Sequence, residues 1–403
     1  MKFRTFSALR HRNFRLFLSG QAISLVGTWM QSLAQGWLVL KLTNSAFYLA
    51  LVQAMSSLPI LFFSLLGGVV ADRVDKRRLL LVTQALSLAL ALALGVMVSL
   101  GQAELWHVLV IAGLLGVVNT FDVPGRQSFI IEMVGREDLM NGIALNSAVF
   151  NGARIVGPAI AGLLISAVGI AACFYINAVS YVAIIIMLGM MRFEKPEERR
   201  EPRPMLKELH EGLIYVRKTP VVLYFTLMVA ITSLFAIPYI ALMPIFARDI
   251  LHIGAKGLGI LMSCAGIGAL IGALSLATYG GSGRRGVTAF ATAFISSLAI
   301  LGFSFSRVPL LSYALLMVVG WGMITQLATV NTAIQHEVPD ELRGRVMSLY
   351  VLVFLGFVPI GNLIIGALAH YAGTPHAVAA GAIVCLVTYS ILFVFARKDL
   401  LSV

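Results

Sequence analysis

Asp122, Arg126 and Arg154 are ionisable residues in or beside long apolar runs, where charge is costly. Such a side chain in a membrane helix usually faces a partner or a wet cavity. A carboxylate beside an arginine pairs with it when ionised and releases it when protonated, which suits proton coupling. Two readings stay open. Asp122 is a proton-responsive group with Arg154 or Arg126 as its partner, or the pair is a static bridge that fixes two helices.

The first apolar run carries Gln21, Ser24, Thr28, Gln31 and Gln35 at three- and four-residue steps, one stripe of a helix. Against lipid this stripe would be wasted, so it is expected to face a cavity. Asn146, Gln326, Asn331 and Asn362 are further polar candidates for a cavity wall, each equally able to tie two helices together. Phe235, Tyr239 and Trp321 are candidates for an apolar wall around a substrate. The histidines lack the spacing of a zinc site, and no Gly-rich loop ends in Gly-Lys-Ser/Thr to hold a nucleotide. No enzyme, cofactor or metal is therefore expected. Cys173, Cys264 and Cys385 lie in apolar tracts and read as small buried side chains.

The elements that must position these groups are long apolar helices. The chain has 403 residues, of which 59% are hydrophobic and only 12% charged. Its mean hydropathy is +0.92. A soluble domain carries about 25% charged residues. Runs of around 20 apolar residues recur from end to end, each able to cross a bilayer as a helix. They exclude a barrel, whose strands need about ten alternating residues. The expectation is an all-α membrane protein with twelve spans near 15–39, 47–70, 79–100, 106–128, 142–165, 168–191, 221–246, 257–278, 287–304, 310–332, 345–369 and 377–396. The first run follows several basic residues and reads as a retained span.

Most of the 30 Lys and Arg fall in loops on one side of this arrangement. The other side has Lys41, Arg248, Lys256 and Arg307, and Arg154 lies within a span. This asymmetry predicts an inner-membrane protein with both termini in the cytoplasm. It also accounts for the net charge of +12 without nucleic acid.

Residues 192–220 form the one long polar segment. It is read as a cytoplasmic linker between a six-helix bundle over 1–191 and a second over 221–403. Within it, Met205 to Val216 has the pattern of an amphipathic surface helix. The halves resemble each other. Gly135-Arg136-Glu137-Asp138-Leu139 precedes the fifth span as Pro339-Asp340-Glu341-Leu342-Arg343 precedes the eleventh, and Gly157 and Gly162 align near Gly361 and Gly366. Two pseudo-symmetric bundles suit a transporter whose halves rock about a site between them. Pro238 and Pro244 predict a broken or bent seventh span.

The loop after the second span reads Gly68-Val69-Val70-Ala71-Asp72-Arg73-Val74-Asp75-Lys76-Arg77-Arg78. It resembles the signature of the major facilitator superfamily, with Asp75 where a glycine is common. The matching loop of the second half is degenerate, keeping Gly283-Arg284-Arg285. In the fifth span, Gly152, Gly157, Pro158 and Gly162 resemble the antiporter motif of the superfamily's drug exporters. Pro124-Gly125-Arg126-Gln127, followed by Asn141 and Asn146, is similar to the branch of macrolide efflux pumps and the enterobactin exporter.

The resemblance implies the major facilitator fold and a cytoplasmic gate at Gly68, Asp72, Arg73, Arg77 and Arg78. It implies a close-packed, kinked fifth span that limits leak. It implies secondary active export of lipophilic or amphipathic small molecules by a monomer, with alternating access and protons as the coupling ion. Siderophore export, lipid or lysolipid movement, and a non-transporting receptor or scaffold are the alternatives.

Overall fold

The computed structural model describes residues 6–192, 205–279 and 285–400, with backbone alone at 65, 72, 205–210, 277, 279 and 396–400. Much of the expected linker, and Gly283 and Arg284, lie outside the described residues. A 3-10 turn at Ser7–Arg10 precedes α1 (Arg12–Thr43), α2 (Ala46–Arg73), α3 (Lys76–Ser99), α4 (Leu105–Val134), α5 (Leu139–Ala167) and α6 (Ile170–Gly189). Then come α7 (Met205–Lys218), α8 (Pro220–Ile231), α9 (Tyr239–Ile245), α10 (Gly254–Tyr279), α11 (Arg285–Phe305), α12 (Pro309–Glu337), α13 (Asp340–Ala372) and α14 (Thr374–Leu400).

Among the described residues, eleven helical stretches are long and apolar enough to cross a membrane. The expected first span is the one that does not qualify. Its helix, α1, has 32 residues, but Gln21, Ser24, Thr28, Gln31 and Gln35 dilute its apolar character. The same stripe that made α1 a candidate for function lowers its hydropathy. The amphipathic segment of the linker is helical as α7, with Val216 buried.

Backbone packing divides the chain into two compact units, 1–42 with 58–202, and 43–57 with 203–403. In the first unit, α3 packs on α4 and α6, and α5 on the same two helices. Its core is apolar and includes Phe14, Phe17, Leu80, Phe129 and Leu188. Phe17 meets Phe129 edge to face, with ring centroids 6.0 Å apart. In the second unit, α10 and α11 both pack on α12, α14 on α11 and α13, and α7 on α13. Residues 43–57 join this unit through contacts such as Ala50 against Gly366. Arg248 also donates to Asn44 Oδ1 at 2.7 Å.

The seventh span, expected to be broken or bent, is interrupted. α8 passes into a π turn at Thr232–Ala236, the chain turns through Ile237 and Pro238, and α9 leads to a second π turn at Phe246–Ile250. Pro238 has no N–H to give the carbonyl of Leu234. Gly361 of α13 lies against that carbonyl, closer than a side chain would permit. Gly381 of α14 does the same at Phe235. In the first unit, Gly157 of α5 lies on α1, where an added Cβ would be 2.8 Å from the Val26 carbonyl. The aligned glycines Gly157 and Gly361 thus each let a helix close on the first long segment of its own half.

Candidate functional site

Asp122 lies on α4, about two turns before the buried Phe129 and Ile130, and is 2% exposed. Arg126 follows one turn later, with Nη2 2.5 Å from Asp122 Oδ2. This contact is ionic, and its alignment falls short of a hydrogen bond, so Oδ2 has charge compensation without a directed donor. Oδ1 is served from α3. Thr83 Oγ1 and Gln84 Nε2 each stand 2.7 Å from it. Gln84 faces α1 as well, where Ser24 Oγ is 3.5 Å from its Oε1.

Thr83 has a second acceptor within reach, the Leu80 carbonyl at 3.0 Å. One hydroxyl proton serves one acceptor well at a time. Thr83 can therefore donate to an ionised Asp122 and turn to Leu80 when Asp122 carries a proton. Neither state leaves the hydroxyl buried without a partner. The signal for Thr83 and Gln84 was absent from any motif, because two uncharged polar residues in an apolar helix have no distinctive spacing.

Arg154, the other expected partner of Asp122, is elsewhere. Its guanidinium lies over the Trp29 ring, 5.8 Å from the centroid. Trp29 is also what Gly157 packs on, with a Cβ-to-Cβ approach of 2.6 Å if a side chain were present. α5 runs without interruption through Pro158. Gly152 opens onto free space, whereas Gly157, Pro158 and Gly162 are buried.

The polar stripe of α1 is largely internal. Gln21, Ser24, Gln31 and Gln35 are buried, and Asn177 of α6 donates to Gln31 Oε1 at 2.6 Å. Thr28 is the exposed member and lies 3.4 Å from the Tyr181 hydroxyl. The expectation of a cavity-facing stripe is corrected accordingly. Polar side chains on apolar helices found partners on neighbouring helices.

The C-terminal candidates divide similarly. Tyr239, Gln326 and Asn362 are buried in their own unit. Gln326 Nε2 donates to Thr232 Oγ1 at 2.8 Å, and Thr232 meets the Tyr389 hydroxyl at 2.7 Å. This node sits on the first π turn of the interrupted span. Tyr239 packs with Phe303, whose ring lies tilted against Phe246 with centroids 4.5 Å apart. Phe235, Trp321, Asn331 and Asn146 keep accessible surface.

At the signature loop, Gly68 has open space beside it and Arg73 and Arg78 are exposed. The side chain of Asp72 lies outside the described residues. Arg77 caps the end of α6, with Nε and Nη2 each donating at 2.7 Å to the carbonyls of Leu188 and Gly189. Asp75, the departure from the signature, has a local role. It is the N-cap of α3 and accepts from the Arg78 amide at 2.7 Å. Lys76 forms an ion pair with Glu132.

A family profile described as transmembrane secretion effector matches residues 3–400. The multidrug efflux pump Tap of Mycobacterium tuberculosis is 31% identical over 373 residues, covering 89% of this chain and 87% of that protein. The staphyloferrin A transporter of Staphylococcus aureus is 23% identical over 368 residues, covering 89% and 90%. Among solved structures, a bacterial homolog of the human lysosomal transporter Spinster has the same fold, with a TM-score of 0.76 at 12% identity over 98% of both chains. The relatives and structural neighbours are transporters and not enzymes. This chain, a multi-pass inner-membrane protein that moves small molecules by secondary active transport, belongs to the transmembrane secretion effector family of the major facilitator superfamily.

Proposed function

We propose that the protein exports lipophilic or amphipathic small molecules, with inward proton movement as the driving reaction and alternating access as the cycle. In this reading α1 also crosses the membrane and brings the spans to twelve, 1–191 and 221–403 are the two six-helix halves, and 192–220 joins them. The repeated glycine contacts at Gly157 and Gly361 support the pairing of halves. The basic bias of the loops supports cytoplasmic termini. The 31% identity to a multidrug efflux pump supports an export role and drug-like cargo.

The observation that carries the coupling is the setting of Asp122. It is a buried carboxylate with an ionic partner, and its hydroxyl donor has a second acceptor in reach. Proton binding cancels the charge that holds Arg126. Release restores it. Arg126 and Asp122 thus form the element whose state follows the proton, while Gln84 connects it towards Ser24 on α1.

The test uses purified protein in sealed proteoliposomes with an imposed pH gradient. Internal pH is followed while lipophilic drugs are added. Substrate-dependent collapse of the gradient, absent in Asp122→Asn, is the expected result. An Asp122→Asn protein that folds and keeps the wild-type proton dependence would remove Asp122 from the coupling. A secreted metabolite such as a siderophore is the second reading of the cargo, favoured by the relative named for staphyloferrin A transport.

A further inference from the structure

A groove of about 510 Å³ lies within the C-terminal unit, and neither Asp122 nor its partners line it. α12 contributes Trp321, Thr325, Thr329 and Thr332. α10 and α11, both packed on α12, supply the sides, with Leu276 on one and Arg285 to Ile295 on the other. Trp321, expected to shape a cargo cavity, lines this groove. Large apolar side chains flank it outside, since Ile271 and Leu274 on α10 and Ile295 and Leu298 on α11 are all exposed. In a membrane helix such residues meet lipid tails, so the groove opens beside the bilayer.

Three observations describe an occupant. First, Arg285 stands at the N-terminus of α11 and has no ion-pair partner among the described residues. A guanidinium at the N-terminus of a helix favours a phosphate. Second, one buried hydroxyl of the wall is unmet. Ser275, Thr292, Thr325 and Thr332 each reach a carbonyl of their own helix, and Thr288 is also engaged. Thr329 lines the groove at 2% exposure, and its hydroxyl is turned away from the open space with no partner, one χ1 rotation from facing it. A buried hydroxyl in that state is costly unless a ligand acceptor meets it. Third, the length fits one leaflet. Arg285 to Ile295 covers about 15 Å of helix, half of a hydrocarbon core of about 30 Å. Gly322 lies against Thr292 and Ser296, so Ile295 and Trp321 share the deep end and Arg285 the shallow one.

We propose that this groove binds an anionic phospholipid of the surrounding bilayer. Its phosphate sits at Arg285 and the first turn of α11, an ester oxygen accepts from Thr329, and one acyl chain runs past Leu276 and Ile295 to Trp321. The charge selects an anionic headgroup. The depth selects a chain lying in the leaflet on the Arg285 side.

Native mass spectrometry of the purified full-length protein tests this. The detergent-solubilised protein is titrated with phosphatidylglycerol, phosphatidylcholine of the same chains, and glycerol 3-phosphate. Retained phosphatidylglycerol is expected, with about tenfold weaker retention in Arg285→Gln, as for loss of a charge-assisted contact. Arg285→Lys keeps the charge and should retain most of the binding. Thr329→Val, which preserves shape and removes the unmet hydroxyl, should weaken it while the lipid-free protein melts no lower than wild type. Unchanged retention in both Arg285→Gln and Thr329→Val overturns the proposal. Equal retention of phosphatidylcholine overturns the charge selection, and glycerol 3-phosphate binding as tightly as the lipid overturns the acyl component in favour of a soluble anion. If Arg285→Gln fails to fold, the Thr329→Val titration and the headgroup comparison decide the matter.

Discussion

Arg126 reaches back one helical turn to Asp122, with its guanidinium nitrogen 2.5 Å from a carboxylate oxygen that is almost wholly buried. Both residues belong to α4, so the pair does not join two helices by itself. The joining is done by Thr83 and Gln84 of α3, which converge on the other oxygen. A static bridge between helices would place the opposite charges on different elements. Here the charge pair is local, and uncharged donors that can serve either protonation state link it to the rest of the bundle.

Removing one member of this pair should hurt more than removing both. Arg126→Leu leaves a buried carboxylate without its cation, a change that costs about 3–5 kcal/mol for a fully buried pair. Arg126 is partly exposed, so the lower end applies. Asp122→Asn with Arg126→Leu should recover much of that loss. Thermal melts of the three variants in detergent check it as a double-mutant cycle. A double variant no more stable than Arg126→Leu would show that the pair does not interact as described.

The glycines of the fifth-span motif should not be equivalent. An added Cβ at Gly157 would fall 2.6 Å from Trp29 Cβ and 2.8 Å from the Val26 carbonyl, so α1 and α5 must part. Gly157→Ala is expected to lower stability by about 1–3 kcal/mol, the usual range for overpacking. At Gly152 nothing lies within 4 Å of the new atom. Gly152→Ala should be neutral or slightly stabilising, since alanine is the better helix former. Size-exclusion profiles after heating would separate the two.

Much of this was legible in the chain. Helix positions followed from runs of apolar residues, and the interruption of the seventh span followed from Pro238. The pairing of Asp122 was legible only as a choice between Arg126 and Arg154. Both arginines lie near it in the chain order of spans, and only packing decides which way a long side chain turns. The polar stripe of α1 misled for a related reason. Periodicity places Gln31 on a face, but it cannot say that Asn177 stands opposite with a donor. Thr83, Gln84 and the groove below Arg285 gave no signal, because they are made by residues distant in sequence and ordinary in type.

Asp75 should behave as a helix cap and not as a gate charge. Its carboxylate accepts from the Arg78 amide, satisfying one of the donors left open at the start of α3. Asp75→Ala is expected to cost about 1 kcal/mol, and Asp75→Ser far less, because serine caps equally well without charge. Equal losses in Asp75→Ala and Asp75→Ser, measured by thermal melting, would point to the charge instead.

The buried node at the first π turn predicts an order of severity. Thr232 donates to the Met228 carbonyl at 2.7 Å and receives Gln326 Nε2 at 2.8 Å, with the Tyr389 hydroxyl 2.7 Å away. Tyr389→Phe removes one donor and leaves Thr232 still paired with Met228 and Gln326, so about 1 kcal/mol is at stake. Thr232→Val strips the acceptor from both Gln326 and Tyr389. Tyr389 and Gln326 still meet each other, so the loss is about 1–3 kcal/mol for the pair. Thr232→Val should therefore melt well below Tyr389→Phe. Thr232→Ser keeps the hydroxyl and should lie close to wild type. If the valine and phenylalanine variants melt together, with the serine variant equally lowered, the π turn is held by apolar packing and the hydroxyl contributes little.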